Sequence, residues 1–302
     1  MALPLQRIVG SKMITPMTAL QIVHPPTLRS RPGTPVLERA RGRARLACKY
    51  EGGETRLSEF YQSGSAKIRL PRVEPGARRE AVLINTAGGV TGGDRLSYEV
   101  EAGAGTALTV TTQAAERIYR RSAGTAEVET SLAVGASAHL DWLPQETIVF
   151  DRSALRRSLT ADLAEDASLL AIESIVLGRA AMGETARSIS LSDRWRVRRK
   201  GKLLFADNLR IEGDAVETLA GGATGKGASA FATLLLVASD AETRAETARA
   251  SLAECRSEAG ISAWNGMMVG RFIAPDGHTL RADLARLVER LRGMPMPRVW
   301  NC

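Results

Sequence analysis

Three stretches, Val100-Glu-Ala-Gly-Ala-Gly-Thr-Ala-Leu108, Leu132-Ala-Val-Gly-Ala-Ser-Ala-His-Leu140 and Leu163-Ala-Glu-Asp-Ala-Ser-Leu-Leu-Ala171, align without gaps, and their starts lie 32 and 31 residues apart. Each holds a strand end, a small-residue turn around Ala104, Ala136 or Ala167, and the start of a new strand. A period of this length fits stacked β coils or a succession of hairpins. The flanking residues alternate as strands do. Val128, Thr130, Leu132 and Val134 share one face, with Glu127 and Glu129 on the other, and Leu155, Arg157, Leu159, Ala161 and Leu163 share a later face. Turn signals recur at Glu51-Gly52-Gly53, Pro75-Gly76, Gly103-Ala104-Gly105 and Glu212-Gly213-Asp214. Only residues 241–257 and 277–292 carry helix signatures. In the first, Ala241, Ala245, Ala248, Leu252 and Cys255 share a face behind a capping Asp240. In the second, Leu280, Leu284, Leu287 and Leu291 form a stripe that Gly293 stops. The expected fold is mainly β: two layers of stacked sheets, with β-helix-like coils as one form of the stacking, and two helices near the C-terminal end.

Residues 1–35 are punctuated by Pro16, Pro25, Pro26, Pro32 and Pro35 and are expected to form a flexible extension, leaving residues 36–302 as one β domain. The net charge of +8 belongs to the first fifty residues, which hold nine Lys/Arg and one acid, Glu38; the other 252 residues carry 32 basic and 32 acidic side chains. A neutral body disfavours a nucleic-acid binder. Arg39, Arg41, Arg43 and Arg45 alternate with small and apolar residues, which makes a strand with one guanidinium face. That face is either solvated, or docks an acidic partner, or meets nucleic acid; the scarcity of interleaved aromatics weakens the last option. No run of 18 apolar residues is present, so no membrane helix is expected. Met13 and Met17 sit among polar residues and prolines rather than in a signal core. Three dispersed cysteines, Cys48, Cys255 and Cys302, suit a reducing, cytoplasmic location.

The glycine-rich segments are not nucleotide loops. Gly88-Gly-Val-Thr-Gly-Gly-Asp94 has Val90 where a dinucleotide loop needs glycine, and Gly221-Gly-Ala-Thr-Gly-Lys-Gly227 lacks the first glycine and the magnesium-binding hydroxyl of a P-loop. Three histidines, His24, His139 and His278, are too scattered for a transition-metal site. The carboxylates carry more information. Leu169-Leu-Ala-Ile-Glu-Ser-Ile-Val-Leu177 is apolar on both faces apart from Glu173 and Ser174, which describes a doubly buried strand. A carboxylate there is paired, with a residue such as Arg179, or lines an internal passage. Asp94, directly after the glycine pairs, and Glu146 and Asp151, which flank Thr147-Ile-Val-Phe150, are similar candidates. Carboxylates alone hold a transition-metal ion weakly, which suits transit rather than storage.

Three segments together resemble the UreD (UreH) family of urease accessory proteins: Asn85-Thr-Ala-Gly-Gly-Val-Thr-Gly-Gly-Asp-Arg-Leu96, Thr111-Thr-Gln-Ala-Ala-Glu-Arg-Ile-Tyr-Arg120 and Leu143-Pro-Gln-Glu-Thr-Ile-Val-Phe-Asp151. Leu177-Gly-Arg179 with Gly183-Glu184, Phe231-Ala-Thr-Leu-Leu235 and Pro297-Arg-Val-Trp300 support the resemblance, which spans about residues 36–300. It implies a urease maturation factor that catalyses nothing. It further implies a scaffold or chaperone that binds urease apoprotein with UreF and the GTPase UreG and aids nickel insertion, with nickel in transit and no stable cofactor. The resemblance makes Asp94, Glu146, Asp151 and Glu173 candidates for a nickel route, Tyr119, Arg120 and Arg179 candidates for orienting it, and Arg298 and Trp300 candidates for a terminal docking contact. Many relatives have His-Pro-Pro where Asn85-Thr86-Ala87 stands, and Lys is common at Arg117. A different class, an enzyme using Glu173 with Arg179, would require those two residues to share a closed pocket.

Overall fold

A computed structural model describes residues 38–73, 78–179 and 182–301. The expected extension over 1–35 and the Pro75-Gly76 turn lie outside these residues. From β4 (Arg79–Asn85) the chain lays successive strands in two facing sheets by turns: β5 (Arg95–Ala102), β6 (Ala107–Thr112), β8 (Ala126–Val134), β9 (His139–Leu143), β11 (Ala154–Leu163), β12 (Ser168–Leu177) and β13 (Ile189–Arg199). Strands of one sheet stack in parallel: β5 on β8, β8 on β11 and β11 on β13 in the first, β4 on β6, β6 on β9 and β9 on β12 in the second. The short strands β7 (Glu116–Ile118) and β10 (Thr147–Val149) extend the second sheet beside β12.

The first sheet has seven strands. It is completed by β1 (Arg41–Glu51) and β2 (Glu54–Gly64) at one edge and β14 (Lys202–Gly213) at the other. The second has ten, with β3 (Ala66–Arg69) at one edge and β15 (Ala230–Val237), β17 (Met267–Ala274) and β16 (Glu258–Trp264) at the other. The expected coils are therefore present, and their turns superpose. Gly103–Thr106, Gly135–Ala138 and Ala164–Ala167 each close with a backbone bond, and Gly105 N–H donates to Ala136 O at 2.8 Å. Small residues are needed there because a Cβ on Gly135 would lie 2.7 Å from the Ala104 nitrogen.

One register differs from the sequence alignment. Val100 pairs with Leu132, as aligned, but Leu132 pairs with Ala161 rather than Leu163. The slip is two residues. Because strand side chains repeat with period two, a slip of two leaves every side chain on its expected face.

Inward residues of both sheets form one core. The outer face of the ten-stranded sheet is covered by α2 (Ala241–Ser251) and α3 (Gly277–Arg292). The two-sided burial expected for residues 169–177 follows: Leu169, Ala171 and Ile175 face the inter-sheet core, while Leu170 and Ile172 meet Leu284 and Leu287 on the helix side. Gly293 stops α3 at φ 65°, as expected. Helix α2 ends at Ser251, short of the predicted 257, and the Asp240 side chain makes no capping bond; it lies 3.7 Å from Arg244 instead. A third helix, α1 (Ala215–Ala220), was not expected. Asp214 caps it by accepting from Val216 and Glu217 N–H, and six residues are too few to display a helical period. Two arginines of the guanidinium face of β1 are ion-paired, Arg43 with Glu99 at 2.7 Å and Arg45 with Glu59 at 3.1 Å, which favours the solvated reading.

Trp300 is buried, not displayed. Its indole N–H donates to Thr111 Oγ1 at 3.1 Å and to Leu143 O at 3.2 Å, so it docks the tail on this chain's own second sheet. Arg281 of α3 lies 4.5 Å over the ring, donates to Trp300 O at 2.6 Å and pairs with Glu146 at 2.8 Å. Trp300→Ala is expected to cost about 3–5 kcal/mol, read as a lower urea midpoint with an unchanged slope.

Candidate functional site

The inter-sheet space is apolar along most of its length and polar at one place. Arg157 of β11 enters it on the same face as Leu155 and Leu159. Its guanidinium donates to Glu173 Oε2 at 2.5 Å, to both Asp193 oxygens at 2.6 and 3.1 Å, and to Thr147 Oγ1 at 2.9 Å. Trp142 N–H donates to the other Glu173 oxygen at 3.0 Å. All three charged groups are buried. Burial works against the Arg157 cation, yet Asp193 and then Glu173 hold it above the ordinary arginine value. Burial pushes the Glu173 carboxyl up, while Arg157 and the Trp142 donor pull it down.

Arg179 is not the partner of Glu173. It lies beyond the end of β12, past Gly178, and binds Glu184 at 2.8 and 3.0 Å while stacking 4.3 Å from the Phe150 ring. The closed Glu173–Arg179 pocket that an enzyme reading required is therefore replaced by the Arg157 clamp. Its signal was available in sequence, since Arg157 stands alone among apolar residues on one strand face.

Two cavities border this network, and a third adjoins the second. One of about 180 Å³ is lined by Glu173, Asp193, Asp207, Thr233 and Arg271. A second of about 50 Å³ shares Glu173 with the first and is lined by Arg157, Trp142, Thr112, Tyr98 and Glu116. A third of about 210 Å³ shares Tyr98, Thr112 and Glu116 with the second and reaches Asn85 and Gly88. Asp207 is paired with Arg271 at 2.6 Å. Glu116 accepts from the Asn85 amide at 3.1 and 3.2 Å, and burial pushes its carboxyl up to about 7 against that hydrogen bond and the nearby Arg117. Neither Arg157 nor Glu116 was singled out from sequence as a site residue.

The other sequence candidates lie elsewhere. Asp94 accepts from Ala40 and Thr91 N–H at 2.8 Å each, clamping the glycine turn to the start of β1. Asp151 accepts from Arg187 and Ser188 N–H. With Tyr119, Arg120, Phe150, Arg179 and Glu184 it lines a separate open hollow of about 500 Å³. Glu146 anchors α3 through Arg281. Arg298 is exposed beside the buried Trp300. Of the four candidate carboxylates, only Glu173 lines the inter-sheet cavities.

Another buried carboxylate is structural. Asp141 meets His139 at 2.7 Å, Arg78 at 2.8 Å and Arg292 of α3 at 2.9 Å. Burial alone would raise it; the His139 bond and charge, with Arg292 and Arg78, outweigh burial and hold the carboxyl below the usual range.

Two outcomes follow from these clusters. Arg157→Met strands two buried carboxylates and is expected to cost about 3–5 kcal/mol, whereas Arg157→Met with Glu173→Gln and Asp193→Asn recovers much of that loss, read by denaturant unfolding. Asp141, with a depressed folded pKa, contributes stability above the unfolded value near 4, which is lost as pH falls through the folded one. Asp141→Asn therefore lowers Tm at pH 7, and the gap to wild type narrows below about pH 4.

A family model described as UreD urease accessory protein matches residues 40–301. The chain is 53% identical over 265 residues to the urease accessory protein UreD of Rhizobium leguminosarum bv. trifolii, covering 87% of this chain and 96% of that protein. It is 47% identical over 268 residues to that of Azorhizobium caulinodans (89% and 98% covered), and 49% identical over 263 residues to that of Xanthobacter autotrophicus (87% and 90% covered). The chain belongs to the UreD family of urease accessory proteins.

Proposed function

We infer that this accessory protein is a non-catalytic scaffold which binds urease apoprotein together with UreF and UreG in the cytoplasm, and offers nickel a route between its two sheets. The observation that carries the reading is three neighbouring cavities whose linings share Glu173 and then Glu116. A route between apolar strands, with carboxylates at intervals, lowers the desolvation cost of a divalent cation without holding it. Nickel is here cargo, and the residues along this route supply oxygen donors only, which is a weak set. Among the described residues no group of three His, Cys, Asp or Glu is placed to hold a metal ion. The exposed edge strand β2, with Leu57, Phe60 and Tyr61, supports a partner-binding role, because such an edge is a liability in isolation.

Glu173→Gln tests the route. It keeps the volume and removes the charge; its one remaining oxygen accepts from Trp142 or from Arg157 but not from both, so denaturant unfolding run beside it separates lost stability from a lost route. Co-purification with UreF, UreG and urease apoprotein is expected to persist, while nickel-dependent activation falls by roughly ten- to hundredfold, the range seen when a metal-handling side chain is changed. Full activation by this variant would remove Glu173 from the route. Activation without the chain at all would remove the scaffold reading.

A further inference from the structure

We propose that the open hollow at the arginine-rich end of the coil stack is the docking site for an acidic segment of a protein partner, whose carboxylates are gripped by Arg120 and Arg152. The inference rests on the scaffold reading above and names the surface through which one partner is held.

The two ends of the stack differ in charge. The turns that follow β5, β8 and β11, at 103–106, 135–138 and 164–167, contain no Lys or Arg and carry Glu165 and Asp166. The turns that follow β7, β10 and β12, at 119–125, 150–153 and 178–188, contain Arg120, Arg121, Arg152, Arg179 and Arg187 against Asp151 and Glu184. Every cation there is an arginine, whose planar fork matches a carboxylate through two parallel bonds. Backbone bonds draw these turns together. Phe150 N–H donates to Ile118 O at 3.0 Å, Arg121 N–H to Arg152 O at 3.0 Å and Gly178 N–H to Val149 O at 2.8 Å.

The acids at this end are already engaged. Glu184 is held by Arg179 through both oxygens, and Asp151 accepts from Arg187 and Ser188 N–H. Arg152 lies 3.5 Å from Asp151, and the Arg121 side chain donates to Gly124 O, a carbonyl that leaves its charge unanswered. No hydrogen bond or ion pair engages the Arg120 side chain among the described residues. Arg120 and Arg152 both line the hollow of about 500 Å³, so its excess cations are the groups free to meet incoming carboxylates.

The floor of the hollow is fixed. The Tyr119 and Phe150 rings meet edge to face with centroids 5.1 Å apart, and Arg179 lies 4.3 Å over Phe150. The glycine motif 88–94, to which the route reading gives no role, holds Tyr119 in place. Tyr119 N–H donates to Val90 O at 2.8 Å, its hydroxyl donates to Gly88 O at 3.2 Å, and a Cβ on Gly89 would overlap its ring. Thr91 Oγ1 donates to Arg120 O at 3.0 Å, which sets the turn that carries the arginine. Arg152 stands at φ 57°, a left-handed conformation that costs energy for a long side chain and marks a position its surroundings impose. Tyr119 remains 38% exposed, and it offers an apolar neighbour of the acidic residues a surface to rest on. A polynucleotide needs a longer basic track, and beyond the first fifty residues basic and acidic side chains balance at 32 each.

The test uses the full chain and begins with a fluorescein-labelled glutamate-rich peptide. In anisotropy titrations at low salt the peptide is expected to bind wild type, to bind Arg120→Glu/Arg152→Glu about tenfold more weakly, and to leave wild type as salt rises. Arg120→Lys/Arg152→Lys, which keeps the charge and loses the fork, should fall between the two. Arg210→Glu, on the outer strand β14, should bind as wild type does. Both arginines of the site are exposed, so thermal unfolding of Arg120→Glu/Arg152→Glu should match wild type. Urease apoprotein, UreF and UreG are then offered singly, and one protein that binds wild type should bind Arg120→Glu/Arg152→Glu about tenfold more weakly. Peptide binding that Arg120→Glu/Arg152→Glu leaves unchanged overturns the inference, as does undiminished binding of every partner by that variant. Tighter binding of a single-stranded oligonucleotide or of phosphatidylserine vesicles, lost in the same variant, overturns it in favour of a phosphate ligand. Peptide binding that behaves as expected, in a wild-type chain that binds none of the three proteins, supports the site and overturns the scaffold reading instead.

Discussion

A parallel coil has no hairpin to set its register, so this protein must fix each strand's position by other means. The small-residue turns provide it. They stack directly on one another, with Gly103 and Gly135 allowing the backbones to approach; a backbone bond joins the first two turns, and the Asp166 side chain accepts from Ser137 N–H between the second and third. Once the turns are stacked, each inward position of one coil lies over an inward position of the next. The two sheets then enclose a continuous interior whose contents are decided by alternate residues.

That interior is where the chemistry sits. Most inward positions are Leu, Val, Ile and Ala, and a charge placed among them must be answered within hydrogen-bonding reach. Arg157 answers two at once, binding Glu173 of the opposite sheet and Asp193 of its own. The clamp ties the two layers together by directional bonds in a core otherwise held by non-directional packing. It also leaves the space around it polar enough to be hollow. Glu116 differs because Asn85 can donate to it but cannot neutralise it.

Much of the architecture was legible in sequence because coils repeat. The spacing of small-residue turns announced the stack, and the alternation around Leu132 and Leu159 announced the faces. The two-residue slip at Leu163 was invisible because alternation does not register even shifts. The doubly apolar run around Glu173 correctly marked a buried carboxylate, but its partner was sought nearby in sequence, at Arg179, when the register places Arg157 opposite. The glycine and Phe-Asp motifs named Asp94 and Asp151 as candidates, yet residue type does not reveal whether a carboxylate faces a cavity or a backbone amide. Both face amides. Glu116 was hidden for the reverse reason: its strand has three residues, too few to show a face, and its burial is supplied by β4, β5 and a neighbouring loop.

Coil stacking also bears on how the chain reaches this structure. Each step from β5 to β8 to β11 to β13 closes a loop of about thirty residues, so each added coil costs a similar closure entropy and gains a similar ladder. Growth can then begin at any coil and spread to its neighbours, as in other linear repeats. The helical layer cannot begin early. Its seat on the second sheet needs β12, β15 and β17 side by side, and β12 must find β15 some sixty residues later. The topology thus favours one order of assembly, in which the local coils form before α2 and α3 close over them.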